Sequence, residues 1–582
     1  MCTRRVILRF VVCLLLLAAV VLSACAGGGR QVTPLAEKPV YGGTLTLPLG
    51  TDPIGFDDAK REHYGCNTLM LTNDELWTGD WTKGKAGGYG TGECDWFLSG
   101  SIGRLAYGVG QLAERVDISP TKDKITFYLR KGVHWHNKPP TNGRELNADD
   151  VVASLERHLE RPFGAFQRYK PEAVANLRIL KVDDYTVAIT FNPLDFGDIW
   201  ACIDYVSIFP KDAIEAFGDF TDWRNSIGTG PFILSEYVAG SHANLVRNPN
   251  YWEKDPIGPG KGNQLPYLDA VRLSIIPDES TRLAAFRTGQ IDILTMGWEP
   301  AQEFLHDPRL KHVRYLEDSG AICIYMRTDK KGSPFADKRV RQALMLGLDQ
   351  QRILKELLGG EGTLYTWPLM PTREYERATL PPDKLPESVR RLYEYYPEEA
   401  KKLLAEAGYP NGFKTSIICY NTPAYIDVLS MVKADWAKIG VELEIQPKDY
   451  ATFTGIHAMR SHSDMLLGYY AGGANYFRAT NYTGKSMWNS SYVDDPVLNK
   501  ARDEMLAAFP DEAKVDAIHR ELMPYLLEQA YVLVVPRGYT YRFWWPWVKN
   551  YSGEGSVGYW NGSGWARYVW IDQNLKQSML GR

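Results

Sequence analysis

The chain has 582 residues, with 66 basic against 70 acidic side chains and a formal net charge of −4. It therefore lacks the basic surplus that a nucleic-acid partner calls for. Its length exceeds that of one average domain and implies several, and no CxxC pair or Cys/His cluster of zinc spacing occurs in it.

Arg4 and Arg5 precede an unbroken apolar run from Phe10 to Leu22. At 1.5 Å per residue this run is too short for a bilayer core that needs about 20 residues, so residues 1–24 read as a signal peptide. The small residues before Cys25 resemble a bacterial lipobox, which implies cleavage ahead of Cys25, acylation there and an acylated tether over 25–40. Multiple acyl chains anchor stably where one is marginal. Five cysteines follow: Cys66, Cys94, Cys202, Cys323 and Cys419. An odd number leaves at least one unpaired, and a Cys66–Cys94 bridge is open.

A first strand alternates from Gly42 to Leu47 and ends at Gly50-Thr51-Asp52-Pro53. Gly108-Val109-Gly110-Gln111-Leu112-Ala113 matches the loose GxGxxA nucleotide fingerprint, but no apolar strand leads into it and no acid-ended strand follows, so it is set aside. Ile125, Phe127 and Leu129 alternate as a half-buried strand. His134 and His136 flank Trp135 on one strand face, a pair too small for a metal site and read as structural or surface residues. Asn147 caps a helix with Asp149 and Asp150 in its first turn and Val152, Leu155 and Leu159 along one face. Further strands carry Val187, Ile189 and Phe191, then Val271, Leu273 and Ile275.

The second half predicts longer helices: Asp337 to Leu358, stopped at Gly359-Gly360, and one opened by Pro397 with Ala400, Leu403, Leu404 and Ala407 as its stripe. From Tyr425, a third carries Leu429, Val432, Trp436 and Ile439, and the strand of Val441, Leu443 and Ile445 follows Gly440. Helix followed closely by strand indicates α/β wiring in more than one lobe.

Met465 to Val493 stands apart. It holds Tyr469, Tyr470, Tyr476, Tyr482, Tyr492, Phe477 and Trp488 among glycines and asparagines, with no acid between Asp464 and Asp494. Aromatic side chains give rigid contact area with a polar handle, and glycine admits close approach. This composition suits a binding surface or a packed aromatic loop.

Several motifs, in order, resemble those of the family 5 extracellular solute-binding proteins, the peptide, nickel, opine and oligosaccharide receptors of ABC importers. They are Thr126 to Val133 with His136, Ala148 to Val152, Ile227-Gly228-Thr229-Gly230-Pro231-Phe232 with Val246 to Trp252, Leu265 to Asp269, Gly289 to Ile293, Phe335 to Asp349 and Ala400 to Gly412. The resemblance implies an α/β, two-lobed periplasmic-binding-protein-like fold with an additional inserted subdomain. The central lobe is expected at 41–57, 205–318 and 540–582, the inserted subdomain at 58–204 and the second lobe at 319–539. Hinge crossings are expected near Ser319-Gly320 and Arg537-Gly538.

By the same resemblance, Tyr469, Tyr470, Gly472, Asn475, Trp488, Trp77, Arg460 and Arg478 are the expected ligand-binding residues. Peptide receptors of the family carry an ammonium-binding Asp where this chain has Gly472. Two ligand classes stay open: a peptide held by its backbone with Arg460 or Arg478 meeting its carboxylate, or a neutral oligosaccharide stacked on Tyr469, Tyr470, Trp488 and Trp77 or Trp81. The expected role is extracytoplasmic capture and delivery to an ABC permease by a monomer anchored through Cys25, with no cofactor, no metal and no nucleic acid. A secreted glycoside hydrolase would need paired carboxylates in one cleft; no GxSxG elbow occurs, and Ala479 stands where a P-loop ending at Gly484-Lys485-Ser486 needs glycine. Presentation of the liganded form to a signalling partner is also open.

Overall fold

The computed structural model describes residues 37–61, 63–97, 104–316, 321–470, 483, 489–558 and 561–581, with Tyr469 and Tyr470 described by their backbone. Strand β1 (Thr44–Leu49) is followed by two short strands, β2 (Trp77–Gly79) and β3 (Gly108–Gly110), paired antiparallel so that Trp77 faces Gly110. The glycines of the set-aside fingerprint have packing reasons. A Cβ on Gly108 would sit 2.2 Å from the Trp77 indole nitrogen, and one on Gly110 would sit 2.0 Å from the Ala113 carbonyl.

Strands β4 (Ala113–Ile118) and β5 (Lys124–Leu129), helix α1 (Ala148–Glu160), then β6 (Arg178–Asp183) and β7 (Thr186–Thr190) build one layer. The sheet order is β4-β5-β7-β6, all antiparallel, with Ile125 opposite Ile189 and Phe127 opposite Val187. As the alternation predicts, Ile125, Phe127 and Leu129 are buried. Asn147 caps α1 through a full capping box with Asp150. Asp150 also binds the Arg144 guanidinium at 2.6 and 2.8 Å, so the helix start is tied to the loop before it. His136 is structural, its ring bridging the Gly228 amide at 3.2 Å and the Gly230 carbonyl at 3.2 Å.

Strands β8 (Phe232–Val238), β9 (His242–Arg247) and β10 (Ala270–Ile275) complete a four-stranded sheet, in which β1 runs parallel beside β10. Strands β11 (Ile293–Met296) and β12 (Lys311–Tyr315) belong to a second sheet whose middle strand comes from the far end of the chain.

Strand β13 (Ala321–Met326) opens the α/β half. The predicted helix from Asp337 to Leu358 is two helices, α2 (Lys338–Leu346) and α3 (Gln350–Leu358). The break has a local cause: the Asp349 carboxylate accepts the Arg352 amide at 2.9 Å, starting a new helix. Gly347 leaves room for Ile439, whose Cδ1 would lie 2.6 Å from an added Cβ. Then come β14 (Gly362–Thr363), α4 (Pro397–Glu406), β15 (Phe413–Tyr420), α5 (Pro423–Ala437), β16 (Val441–Lys448), α6 (Tyr450–Met459), β17 (Met465–Tyr470), α7 (Pro496–Ala508), α8 (Glu512–Glu528), β18 (Val532–Val534), β19 (Arg537–Gly538) and β20 (Thr540–Trp544). Their main sheet has the order β16-β15-β17-β13-β18, parallel across β16-β15-β17 and antiparallel at β13.

Two large cores result. One gathers Leu45, Leu245, Leu273, Phe286, Phe543 and Trp547, from both ends and the middle of the chain. The other runs from Phe127, Leu155 and Phe196 to Ile324, Leu344, Trp436 and Leu467. The five described cysteines are buried, and Cys66 and Cys94 belong to different cores, so the bridge left open between them is not made. Among the described residues no helix is long and apolar enough to cross a membrane.

Candidate functional site

The chain passes twice between the sheet β11-β20-β12 and the five-stranded sheet. One passage leads from β12 to β13, the other from β18 through β19 to β20. The flanking strands pair antiparallel on both sides, Tyr315 with Thr540 on one and Cys323 with Val534 on the other. Hinges are built from a few loop or element-terminal residues that absorb backbone rotation, and both connections are short segments between strand ends. Ser319 and Gly320 lie outside the described residues. Gly538 lies on β19, paired with Gly362, and its lack of a side chain is explained by close approach: an added Cβ would lie 3.0 Å from Leu358 Cδ2 at the end of α3.

Strand β17 brings the aromatic stretch to this place. Met465, Leu466 and Leu467 are buried. Pairing with β15 stops at Leu466, so Leu467 to Tyr470 continue on β13 alone, and Tyr470 lies opposite Ala321, the first residue after the crossing. The backbone of Tyr469 and Tyr470 is thus delivered beside the first crossing.

Both ends of the stretch are fixed by polar contacts. The Asp464 carboxylate accepts Thr415 Oγ1, the Ser416 amide and Ser416 Oγ at 3.3, 3.1 and 3.2 Å, stitching the start of β17 to β15. At the far end Ser491 Oγ donates to the Tyr531 carbonyl at 2.7 Å, and Thr328 Oγ1 donates to the Ser491 carbonyl at 2.6 Å. Asp495 accepts the Tyr525 and Tyr531 hydroxyls at 2.8 and 2.7 Å and caps α7. Burial raises its carboxyl, but the Tyr531 and Tyr525 hydroxyls and helix amides outweigh this and hold it below the usual range. Asp494 accepts Asn499 Nδ2 at 2.9 Å. Each flanking acid therefore has a structural partner.

Arg460 closes α6 in the left-handed conformation. Its Nη1 donates to the Asn489 carbonyl at 3.2 Å, and its guanidinium lies 4.5 Å from the Tyr492 ring centre, while Arg327 lies 3.8 Å from the same ring. The Tyr492 hydroxyl donates to the Arg460 carbonyl. Arg460 thus anchors the end of the aromatic stretch. Trp77 is half-buried and packs edge-on against Trp200, with ring centres 5.8 Å apart. Trp81 is a core residue stacked on Tyr568 at 4.8 Å and offers no exposed face for a solute. Gly472, Asn475, Arg478, Trp488 and Cys25 lie outside the described residues.

Across the crossing, Arg542 on β20 organises the other side. Its Nη2 donates to the Tyr315 hydroxyl at 2.6 Å, its Nη1 to the Gly553 carbonyl at 2.7 Å and its Nε to Thr295 Oγ1 at 2.9 Å. Phe97 packs on Tyr315 with centres 5.6 Å apart. Beside them Glu554 is fully buried, with one oxygen accepting the Ser552 amide at 2.7 Å. Burial pushes this carboxyl up to about 7, the Ser552 amide and the Arg542 and Lys85 charges opposing.

Sequence reasoning missed a buried junction around Asp74. Its carboxylate accepts Gln111 Nε2 at 2.7 Å, Thr229 Oγ1 at 3.0 Å and Trp252 Nε1 at 3.0 Å, with Arg567 Nη1 at 3.4 Å. Burial raises the Asp74 carboxyl despite the Arg567 charge. The Gly-Thr-Gly motif is part of this junction. Added Cβ atoms at Gly228 and Gly230 would lie 1.8 Å and 2.8 Å from the Thr72 carbonyl oxygen. Its glycines serve chain packing, and no signal in the sequence tied Asp74 to Arg567 across the chain. Among the described residues no group of three or more His, Cys, Asp or Glu side chains could hold a metal ion.

The two-lobed α/β architecture with a double crossing is that of a solute-binding protein. Residues 108–490 match the bacterial extracellular solute-binding proteins, family 5 Middle, and the chain belongs to that family. It is 33% identical over 366 residues to heme-binding protein A of Haemophilus influenzae, covering 59% of this chain and 62% of that one. It is 28% identical over 383 residues to the dipeptide-binding protein of Escherichia coli, covering 62% and 66%. The chain thus spans just under two thirds of these relatives' length. In fold it is similar to the ABC transporter-associated periplasmic binding protein DppA from Helicobacter pylori in complex with peptide STSA, with a TM-score of 0.67 at 23% identity, covering 92% of this chain and 99% of that one.

Proposed function

We propose that the protein captures a peptide-class solute between two lobes outside the cytoplasm and delivers it to an ABC import permease. The observation that carries this reading is the double crossing beside the end of β17, in a chain of this family. A ligand touching both sides of a hinge favours the closed state by its differential affinity. The lobes take the boundaries expected above, 319–539 closing on 41–57, 205–318 and 540–582, with 58–204 inserted. Tyr469, Tyr470, Gly472, Asn475, Trp488, Trp77, Arg460 and Arg478 are the residues proposed to surround the solute. The protein acts as a monomer tethered by acylated Cys25 and performs no chemistry on its cargo. The dipeptide-binding relative and the peptide-bound structural neighbour favour a peptide.

One observation favours a second reading, a neutral oligosaccharide. The acids flanking the aromatic stretch, Asp464, Asp494 and Asp495, are engaged in structural hydrogen bonds, and the stretch itself contains none. A cationic amino terminus would lack a counter-charge there, and an unpaired buried cation is costly. Calorimetric titration with di- and tripeptides and with cello-oligosaccharides separates the readings. Saturable 1:1 heat with peptides alone supports the first, with sugars alone the second, and silence with both counts against both.

A further inference from the structure

Three polar contacts join the segment between β2 and α1 to the helices α7 and α8. Arg104 and Asp516 form a two-pronged ion pair, Nη1 to Oδ2 at 3.1 Å and Nη2 to Oδ1 at 3.3 Å. Both side chains are almost sealed from solvent, 7% and 3% exposed. One residue on, the Leu105 amide donates to Glu512 Oε1 at 2.9 Å, so the first two turns of α8 receive both a guanidinium and an amide. In the β4–β5 turn, Lys122 Nζ donates to the carbonyls of Ala507 at 2.8 Å and Phe509 at 2.6 Å. These are at the carboxyl end of α7, where a cation suits the helix dipole. Phe196 also packs on Phe509, with ring centres 5.2 Å apart.

The chemistry is matched on both sides. One face supplies Arg104, the Leu105 amide and Lys122; the other supplies Asp516, Glu512 and helix-end carbonyls. Arg104 and Lys122 belong to the sheet β4-β5-β7-β6 and its approach, whereas α7 and α8 lie between β17 and β18 of the five-stranded sheet. If the halves swing about the two crossings, this is a contact that must part, exposing a charge pair now held out of water.

We propose that these residues form a latch that holds the inserted segment on the second lobe, and that its strength sets how much of the solute-free protein is closed. The inference rests on the capture reading above and adds that closure is partly prepaid by the protein. Arg104, Lys122 and Asp516 are then positioning residues. They touch no solute, yet they govern apparent affinity, because that affinity scales with the fraction of protein already in the binding-competent state.

The test uses the full chain, freed of solute by unfolding and refolding, and reads amide exchange at Leu105 and across 512–528 together with the radius of gyration in solution. R104Q and K122M are each expected to speed exchange at Leu105 at least tenfold and to enlarge the radius of gyration. Interior amides of β5 and β15 should keep their wild-type protection. The exchanged pair R104D/D516R should restore protection at Leu105. Unchanged exchange and radius in K122M would overturn the latch, as would a loss of β5 and β15 protection in step with Leu105, since that pattern means general loosening. Should R104Q fail to fold, K122M, a substitution at a partly exposed turn, carries the test. Solute binding by the wild type is measured separately. A chain that unlatches as expected but binds neither peptides nor sugars retains the latch and loses the capture reading.

Discussion

Glu554 gives the most quantitative prediction. Its carboxyl is fully buried beside Arg542, and burial lifts it from an ordinary 4.5 to about 7. Between those values the folded chain holds a proton that the unfolded chain has released. Stability contributed by this group is therefore complete below about 4.5 and falls as pH rises toward 7. At roughly 1.4 kcal/mol per pH unit the loss amounts to about 3 kcal/mol. Other buried carboxyls, Glu75, Asp204 and Asp74 among them, are also raised by burial, so the wild-type curve alone does not isolate Glu554. The difference between wild type and E554Q does. Gln keeps an oxygen for the Ser552 amide and has no charge to bury. Urea unfolding at half-unit steps from pH 4.5 to 8 should show the variant gaining on the wild type by about 3 kcal/mol across the window. A difference that stays flat with pH would refute the reasoning.

Other outcomes follow from the same contacts. D74A leaves the buried Gln111, Thr229 and Trp252 donors without their acceptor, while Arg567 keeps Glu253 at 3.3 Å, and should cost at least about 1–3 kcal/mol in unfolding free energy; D74N, which keeps an acceptor oxygen, should recover part of the loss. G228A drives a methyl into the Thr72 carbonyl and should cost at least about 1–3 kcal/mol, while G297A, with open space around it, should stay within about 0.5 kcal/mol. Because Cys66, Cys202, Cys323 and Cys419 are buried free thiols, alkylation of those four should require denaturant; labelling of any of them in the native protein would contradict their burial. C25S should move the protein from the membrane to the soluble fraction; membrane retention of that variant would remove the lipid anchor.

The elements that were legible in the sequence are those whose signal is local. Ile125-Phe127-Leu129 alternates because one face of its strand is buried, and Asn147 with Asp150 announces a helix start through side chains three residues apart. The break at Asp349 was hidden because Val340, Leu344, Ile353 and Leu357 keep a helical spacing through it, and the competing signal was one capping carboxylate. The Asp74 junction was illegible for a different reason: its partners Gln111, Thr229, Trp252 and Arg567 are brought together only by the tertiary fold. Near the first crossing, Tyr469 and Tyr470 end β17 with Tyr470 paired to Ala321, a placement that the aromatic composition of the stretch did not announce. Arg460 donates to the Asn489 carbonyl and lies against the Tyr492 ring, contacts that composition does not announce.

The most direct test of solute capture is native mass spectrometry of the purified full chain, compared with the same sample under denaturing conditions. Capture between two closing lobes predicts an excess mass that is present in the native spectrum, released on denaturation and identifiable as a peptide by fragmentation. A native mass equal to that of the bare polypeptide and its lipid, with no added peptide or oligosaccharide retained at saturating concentration, would contradict it.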